Sequence, residues 1–246
     1  METREVGIKL KEKLGLRYFP IGVSFSDSVP DGSKKFKDKG KGCIVPLIFL
    51  SAKGQTVSVD KNSTGLPCSA FYLGYQNWIF PGIENFLSDG TVFGRTGERF
   101  FKTPEMAKTY VKSLVPAKIN DRVTIFKPLE KFEDSEKPEL VIFFANADEL
   151  SGVVYLLNYS TPTLDDMIVT KFGSGCASIV TIPMKLKAEG KKQAVWGMHD
   201  ISVRTRLPKD IMTLSMPYSM VTDMINDIDN SFVITEAWEK IKNRNI

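Results

Sequence analysis

The sequence predicts an α+β or mixed α/β fold, a single compact domain over residues 1–246 in which a central sheet is flanked by helices. Three observations carry that expectation. Hydrophobic residues make up 42% of the chain against 25% charged, which over 246 residues is enough to bury a large core. Leu140 to Ala145 is an unbroken apolar run with β-branched Val141 and Ile142, the pattern of a strand covered on both faces. Strand-like and helix-like segments mix without strict alternation, and no internal repeat or low-complexity tract interrupts them.

Taken in order, residues 2 to 14 place Val6, Leu10 and Leu14 on one helical face, and Gly15 stops the helix. Pro20 to Phe25 alternates as a strand. Asp31 to Gly42 is a turn-rich loop carrying Lys34, Lys35, Lys37, Lys39 and Lys41, expected to be solvated. Cys43 opens an apolar helix to Ala52, Thr56 to Asp60 is a strand, and Pro67 suits the first position of a helix bearing Cys68. Thr103-Pro104-Glu105 supplies a cap, a first-position proline and a first-turn carboxylate, with Met106, Tyr110 and Leu114 along one face. Arg122 to Phe126 and Leu140 to Ala145 are strands, and a helix from Ala147 follows. Ile168 to Phe172 is a strand that feeds the turn Gly173-Ser174-Gly175 and a helix from Cys176. Gln193 to Gly197, Asp200 to Arg206 and Ile211 to Met216 read as strands, and helices begin at Pro217 and Thr235.

Composition excludes several classes. The net charge of +4, from 33 basic and 29 acidic residues, is too even to argue for nucleic acid. The apolar run from Cys43 to Leu50 is too short to span a bilayer, and no signal peptide is expected at Met1-Glu2-Thr3-Arg4-Glu5. Three scattered cysteines make no disulfide framework, so a cytoplasmic protein with reduced thiols is expected.

Chemistry is expected where the cysteines meet the glycine turn. A thiolate at a helix start gains roughly 0.5–1.5 kcal/mol from the N-terminal dipole, which would lift its share at pH 7 to about a quarter. Cys43, Cys68 and Cys176, with the single histidine His199, would suffice in type for a metal, and the three thiols alone for an iron–sulfur cluster. Their gaps of 25, 108 and 23 residues contain none of the close pairs that make such a site legible. Gly173, Ser174 and Gly175 before a helix suit an anion, and Arg204 with Arg206 at i, i+2 on a strand could clamp it. Asp165-Asp166 reads as a turn or cap.

The order of motifs resembles a known family. Cys43 opens an apolar segment, and the Cys68 helix ends in Tyr72-Leu73-Gly74. Gly97-Glu98-Arg99-Phe100 precedes Thr103-Pro104-Glu105-Met106-Ala107, and Lys127-Pro128-Leu129 leads to the buried strand. After the Cys176 turn, Asp200-Ile201-Ser202-Val203-Arg204 leads into Ser215-Met216-Pro217. In that order the chain looks like the uncharacterised ArCR family, over nearly its whole length. The resemblance implies a single-domain α/β-type protein without a settled activity, and makes the three cysteine positions landmarks. The family's second cysteine is typically followed by a Pro-Gly-Gly-like turn, where this chain has Ser69-Ala70-Phe71.

Three functions are therefore expected in order. The first is a pocket of cysteine-bearing helix starts and the glycine turn, taking an anionic small molecule or a metal or iron–sulfur cofactor. The second is a thiol-dependent enzyme with Cys176 as nucleophile. The third is an interaction module that docks an acidic partner on Lys34 to Lys41.

Overall fold

A computed structural model describes residues 1–36, 41–92, 94–117, 122–161 and 167–244. Among them, seven strands form one mixed sheet: β1 (Ile21–Ser26), β2 (Val57–Val59), β5 (Val123–Pro128), β6 (Leu140–Ala145), β7 (Ile168–Thr170), β8 (Ala194–Gly197) and β9 (Met212–Pro217). Their order is β2-β5-β1-β6-β9-β8-β7, and only the β7–β8 edge is parallel. Register is set at the centre, where Val23 of β1 faces Phe126 on one side and Leu140 on the other. Two short strands, β3 (Thr91–Val92) and β4 (Arg95–Thr96), pair apart from it.

β6 shows why the sheet is covered on both faces. Leu140, Ile142 and Phe144 point into one core, and Val141, Phe143 and Ala145 into the other, because strand side chains alternate. The second core is closed by α1 (Thr3–Leu14), α6 (Ala147–Asn158), α9 (Tyr218–Asp227) and α10 (Glu236–Asn243), which contribute Leu10, Val153, Met224 and Trp238. Caps fix two of them. Asn146 and Glu149 form a reciprocal box at α6, with the Glu149 N–H donating to Asn146 Oδ1 at 3.0 Å and the Asn146 N–H to Glu149 Oε2 at 2.7 Å. At α1 the left-handed Gly15, φ 63°, ends the helix as its position in the sequence suggests.

The first core is closed by α2 (Ile44–Ala52), α3 (Pro67–Tyr72) and the helical stretch that starts at Gly175. That stretch runs as a π-helix over Ala177–Thr181 before becoming α7 (Ile182–Ala188). A π-turn is uncommon in helices and is frequent beside functional sites. α4 (Ile83–Phe86) packs against α5 (Pro104–Ser113) at the rim.

Three expectations are corrected. Asp200 to Arg206 is not a strand: Ile201–Arg204 forms a helical turn, α8, because the Asp200 carboxylate accepts the Ser202 N–H at 3.1 Å and caps it. Met106 does not face the core. It is 52% exposed, and α5 turns inward the neighbouring stripe of Ala107, Val111 and Leu114. The strand before the glycine turn ends at Thr170 rather than Phe172. Asp165-Asp166 and residues 37–40 of the lysine loop lie outside the described residues.

Candidate functional site

The three cysteines come from three segments that the chain laces together. Cys43 stands in extended conformation just before α2, and Cys68 follows Pro67 in the first turn of α3. Gly42 and Gly65 both adopt left-handed backbone, φ 76° and 69°, which an L side chain would strain. They let the Leu66 N–H reach the Gly42 carbonyl at 3.0 Å, and a Cβ on Gly65 would lie 2.5 Å from that carbonyl oxygen. The ring of Phe36, from the lysine loop, lies against both glycines. The third segment arrives at Gly175, where a Cβ would lie 3.2 Å from Val45 of α2 and 3.1 Å from the Met198 sulfur. Ser69 touches on two of the thiols: its hydroxyl lies 3.9 Å from Cys176 Sγ, and it favours ionisation of the neighbouring Cys68.

The π-helical start is held from below by β8. Ser178 donates to the Gly175 carbonyl at 2.9 Å and accepts the Met198 N–H at 3.3 Å. Met198 itself is buried and left-handed, φ 69°, a strained state for a non-glycine residue that brings the chain from β8 round to Asp200. Asp200 is the polar hub of this corner. Its carboxylate accepts the Gly175 N–H at 2.9 Å and the Ser202 hydroxyl at 2.6 Å as well as the Ser202 N–H.

These bonds change the reading of the glycine turn. The Gly175 N–H is committed to Asp200 and the Ala177 N–H to Ser174 Oγ at 3.2 Å. An anion at that helix start would meet a buried carboxylate instead of open donors. The two-guanidinium clamp is also absent. Arg204 donates to the carbonyls of Ile211 and Lys209, and α8 does not hold the i, i+2 geometry of a strand. Arg206 is exposed, yet its charge favours ionisation of Cys43. His199 is exposed in the turn before Asp200.

Burial overrides the helix-dipole expectation for the thiols. Burial first, and then the negative charge of Cys43 once ionised, raise Cys68 to about 11, and burial with Cys43 and Cys68 raises Cys176 well above the ordinary thiol range. Cys43 is also raised by burial, against the Val45 N–H and Arg206. Asp200 opposes ionisation of all three. With no metal bound to them the thiols stay protonated at neutral pH, and the quarter-thiolate expectation for Cys176 does not hold. Burial and the Asp200 carboxylate also raise Glu98, which places the Gly97-Glu98 stretch beside the same corner.

Cys43, Cys68, Cys176, Ser174 and Gly175 are thus brought together, Arg206 stands at their edge, and Arg204 and His199 take no part. The alternation argument missed Asp200, although Asp-x-Ser before an apolar residue is a capping signal. Ser69 and Tyr72 figure in the sequence only as part of the motif order, with no role at the site. The Tyr72 carbonyl accepts the Thr181 hydroxyl at 2.6 Å. Among the described residues, no group of three or more His, Cys, Asp or Glu side chains is arranged to hold a metal ion.

Fold and site together define a mixed α/β protein with a three-thiol corner beneath one face of its sheet. The chain belongs to the uncharacterised ArCR family, whose model matches residues 9–227 and so spans every residue of that corner. No curated protein and no solved structure matches it. No helix among the described residues is long and apolar enough to cross a membrane.

Proposed function

We propose that the protein is a cofactor-binding protein whose Cys43, Cys68 and Cys176 take an iron–sulfur cluster as thiolates. The observation that carries this reading is mutual. Three thiols from distant segments lie close enough that Cys43 opposes ionisation of Cys68, and both oppose ionisation of Cys176. Asp200 adds to that opposition, and Arg206 relieves it at Cys43. A metal centre removes the conflict, because coordinated thiols are deprotonated outright. A cluster suits the three thiols better than a single ion, since it spreads its ligands over several metal atoms, and among the described residues no group of three or more His, Cys, Asp or Glu side chains is arranged to hold one ion. Three thiolates would leave one iron open, which supplies either electron transfer or Lewis-acid chemistry.

An anionic metabolite in the glycine turn is the weaker reading, because Asp200 and Ser174 already take the Gly175 and Ala177 N–H groups. A nucleophilic Cys176 is weaker still, since burial keeps it a thiol. Docking on the lysine loop would involve Lys37 and Lys39, which lie outside the described residues.

The test is anaerobic reconstitution with iron and sulfide, followed by metal analysis and visible absorption. We expect thiolate-to-iron charge-transfer absorption with stoichiometric iron and sulfide, lost in Cys43→Ala, Cys68→Ala and Cys176→Ala proteins that keep wild-type circular dichroism. A folded, colourless protein without retained iron would overturn the reading, as would unchanged iron in the triple variant.

A further inference from the structure

A cleft of about 300 Å³, at the small end of the range for small-molecule sites, is lined by Tyr72 and by Ala177, the residue after Cys176. Its walls carry Lys171, Lys185 and Lys191, and one carboxylate, Glu189, faces them. Glu189 pairs with Lys191 at 2.9 Å and Lys185 at 4.0 Å, and all three lysines hold its carboxyl below the ordinary range. Two positive charges remain in excess. The floor is a different material. Phe172 is 64% exposed, yet its ring is fixed edge-on by Tyr110 and Phe101, with centroids 5.5 Å from each. Such a ring keeps a face for a ligand at little entropic cost. Tyr110 and Tyr72 line the cleft as well. The larger groove of about 510 Å³ beside Arg4 shares no residue with this region and mixes both charge signs along Glu130 to Ser135.

We infer that this cleft binds a small planar-ring anion, its ring on Phe172 and its phosphate or carboxylate among Lys171, Lys185 and Lys191. Lysine ammonium groups recognise such an anion as point charges, and the exposed aromatic floor selects a ring over a bare ion. The inference does not rest on the cysteine site, and cluster loading neither supports nor removes it.

Pyridoxal 5′-phosphate tests it directly on the full chain. Its aldehyde condenses with a lysine amine, releasing water, and borohydride reduces the imine to a stable amine that peptide mapping locates. We expect at least one of Lys171, Lys185 and Lys191 to be labelled about ten-fold faster than exposed Lys61 and Lys209, equivalent to about 1.4 kcal/mol of local binding. Pyridoxal, which lacks the phosphate, should lose that preference, and Phe172→Ala, a change at an exposed position, should reduce it. Protection by adenosine monophosphate would identify a phosphate ligand, and protection by isophthalate a carboxylate. Labelling no faster than at Lys61 and Lys209, a preference unchanged by Phe172→Ala, or protection by neither competitor would overturn the inference.

Discussion

Asp200 carries opposite consequences for stability and for reactivity, which makes it the most informative single position. It caps α8, anchors the Gly175 N–H and opposes ionisation of all three thiols. In Asp200→Asn only the amide oxygen accepts, and the NH2 group leaves either the Gly175 donor or the Ser202 donors without an acceptor. We expect a loss of about 1–2 kcal/mol in denaturant unfolding, the cost of a cap and a buried hydrogen bond. The same variant should alkylate faster at each cysteine, because a negative charge has gone. A purely structural role would move stability and leave the order of labelling unchanged. In the wild-type protein, Cys43 should react first and Cys176 last, since Arg206 and the Val45 N–H aid Cys43 while Cys176 is buried and opposed by both partners. With Cys68 at about 11, its thiolate share at pH 8 is about one in a thousand, so labelling should run about 100-fold slower than for an unperturbed thiol. The linkage has a definite sign. The unfolded thiol ionises near 9.0 and the folded one near 11, so Cys68 contributes stability below pH 9 and loses it as pH rises toward 11. Cys68→Ser should flatten the fall in stability over that window.

At the scale of elements, the π-helical start depends on how close it comes to β8. A Cβ on Gly197 would lie 2.4 Å from both Cβ and Oγ of Ser178 and 3.0 Å from Thr213 Oγ1. Gly197→Ala should therefore cost about 1–3 kcal/mol through overpacking, measured by thermal or denaturant unfolding. It should also speed Cys176 labelling, because Ser178 is the residue that ties Gly175 to β8. This contact also marks where the sequence stops being readable. Period and capping place α1, α2, α6, α9 and the buried β6, since each depends on neighbours a few residues away. The turn at Asp200 misled because Ile201, Val203 and Thr205 alternate like a strand, while the capping bond that decides the matter is made by a side chain. The convergence of Cys43, Cys68 and Cys176 was suggested by three similar helix starts. Its means, the Gly42–Leu66 and Gly175–Val45 contacts, are tertiary and leave no periodic trace. Burial of the thiols was equally invisible, and it reversed the pKa argument made from the dipole alone.

Over the whole molecule, the sheet separates two cores, and the cysteine corner belongs to only one of them. Cys176 is buried in the core formed with α2, α3 and the π-helical segment, and Cys43 and Cys68 pack against it. α1, α6, α9 and α10 close the other core, which includes none of the three. A cofactor bound by all three thiols would cross-link the segments of the first core alone. Binding to the folded state at a thousand-fold excess over Kd adds about 4 kcal/mol of stability by mass action, and chelation should remove it. Hydrogen exchange shows where that stabilisation resides. Upon cluster loading, amides of residues 44–52, 67–72 and 175–181 should exchange more slowly through suppressed local opening, while those of α1, α9 and α10 change only by the global increment. Protection spread evenly across both cores would mean that the ligand acts through global unfolding alone. No protection in the first core, in a protein that has retained its iron, would place the metal somewhere other than these cysteines.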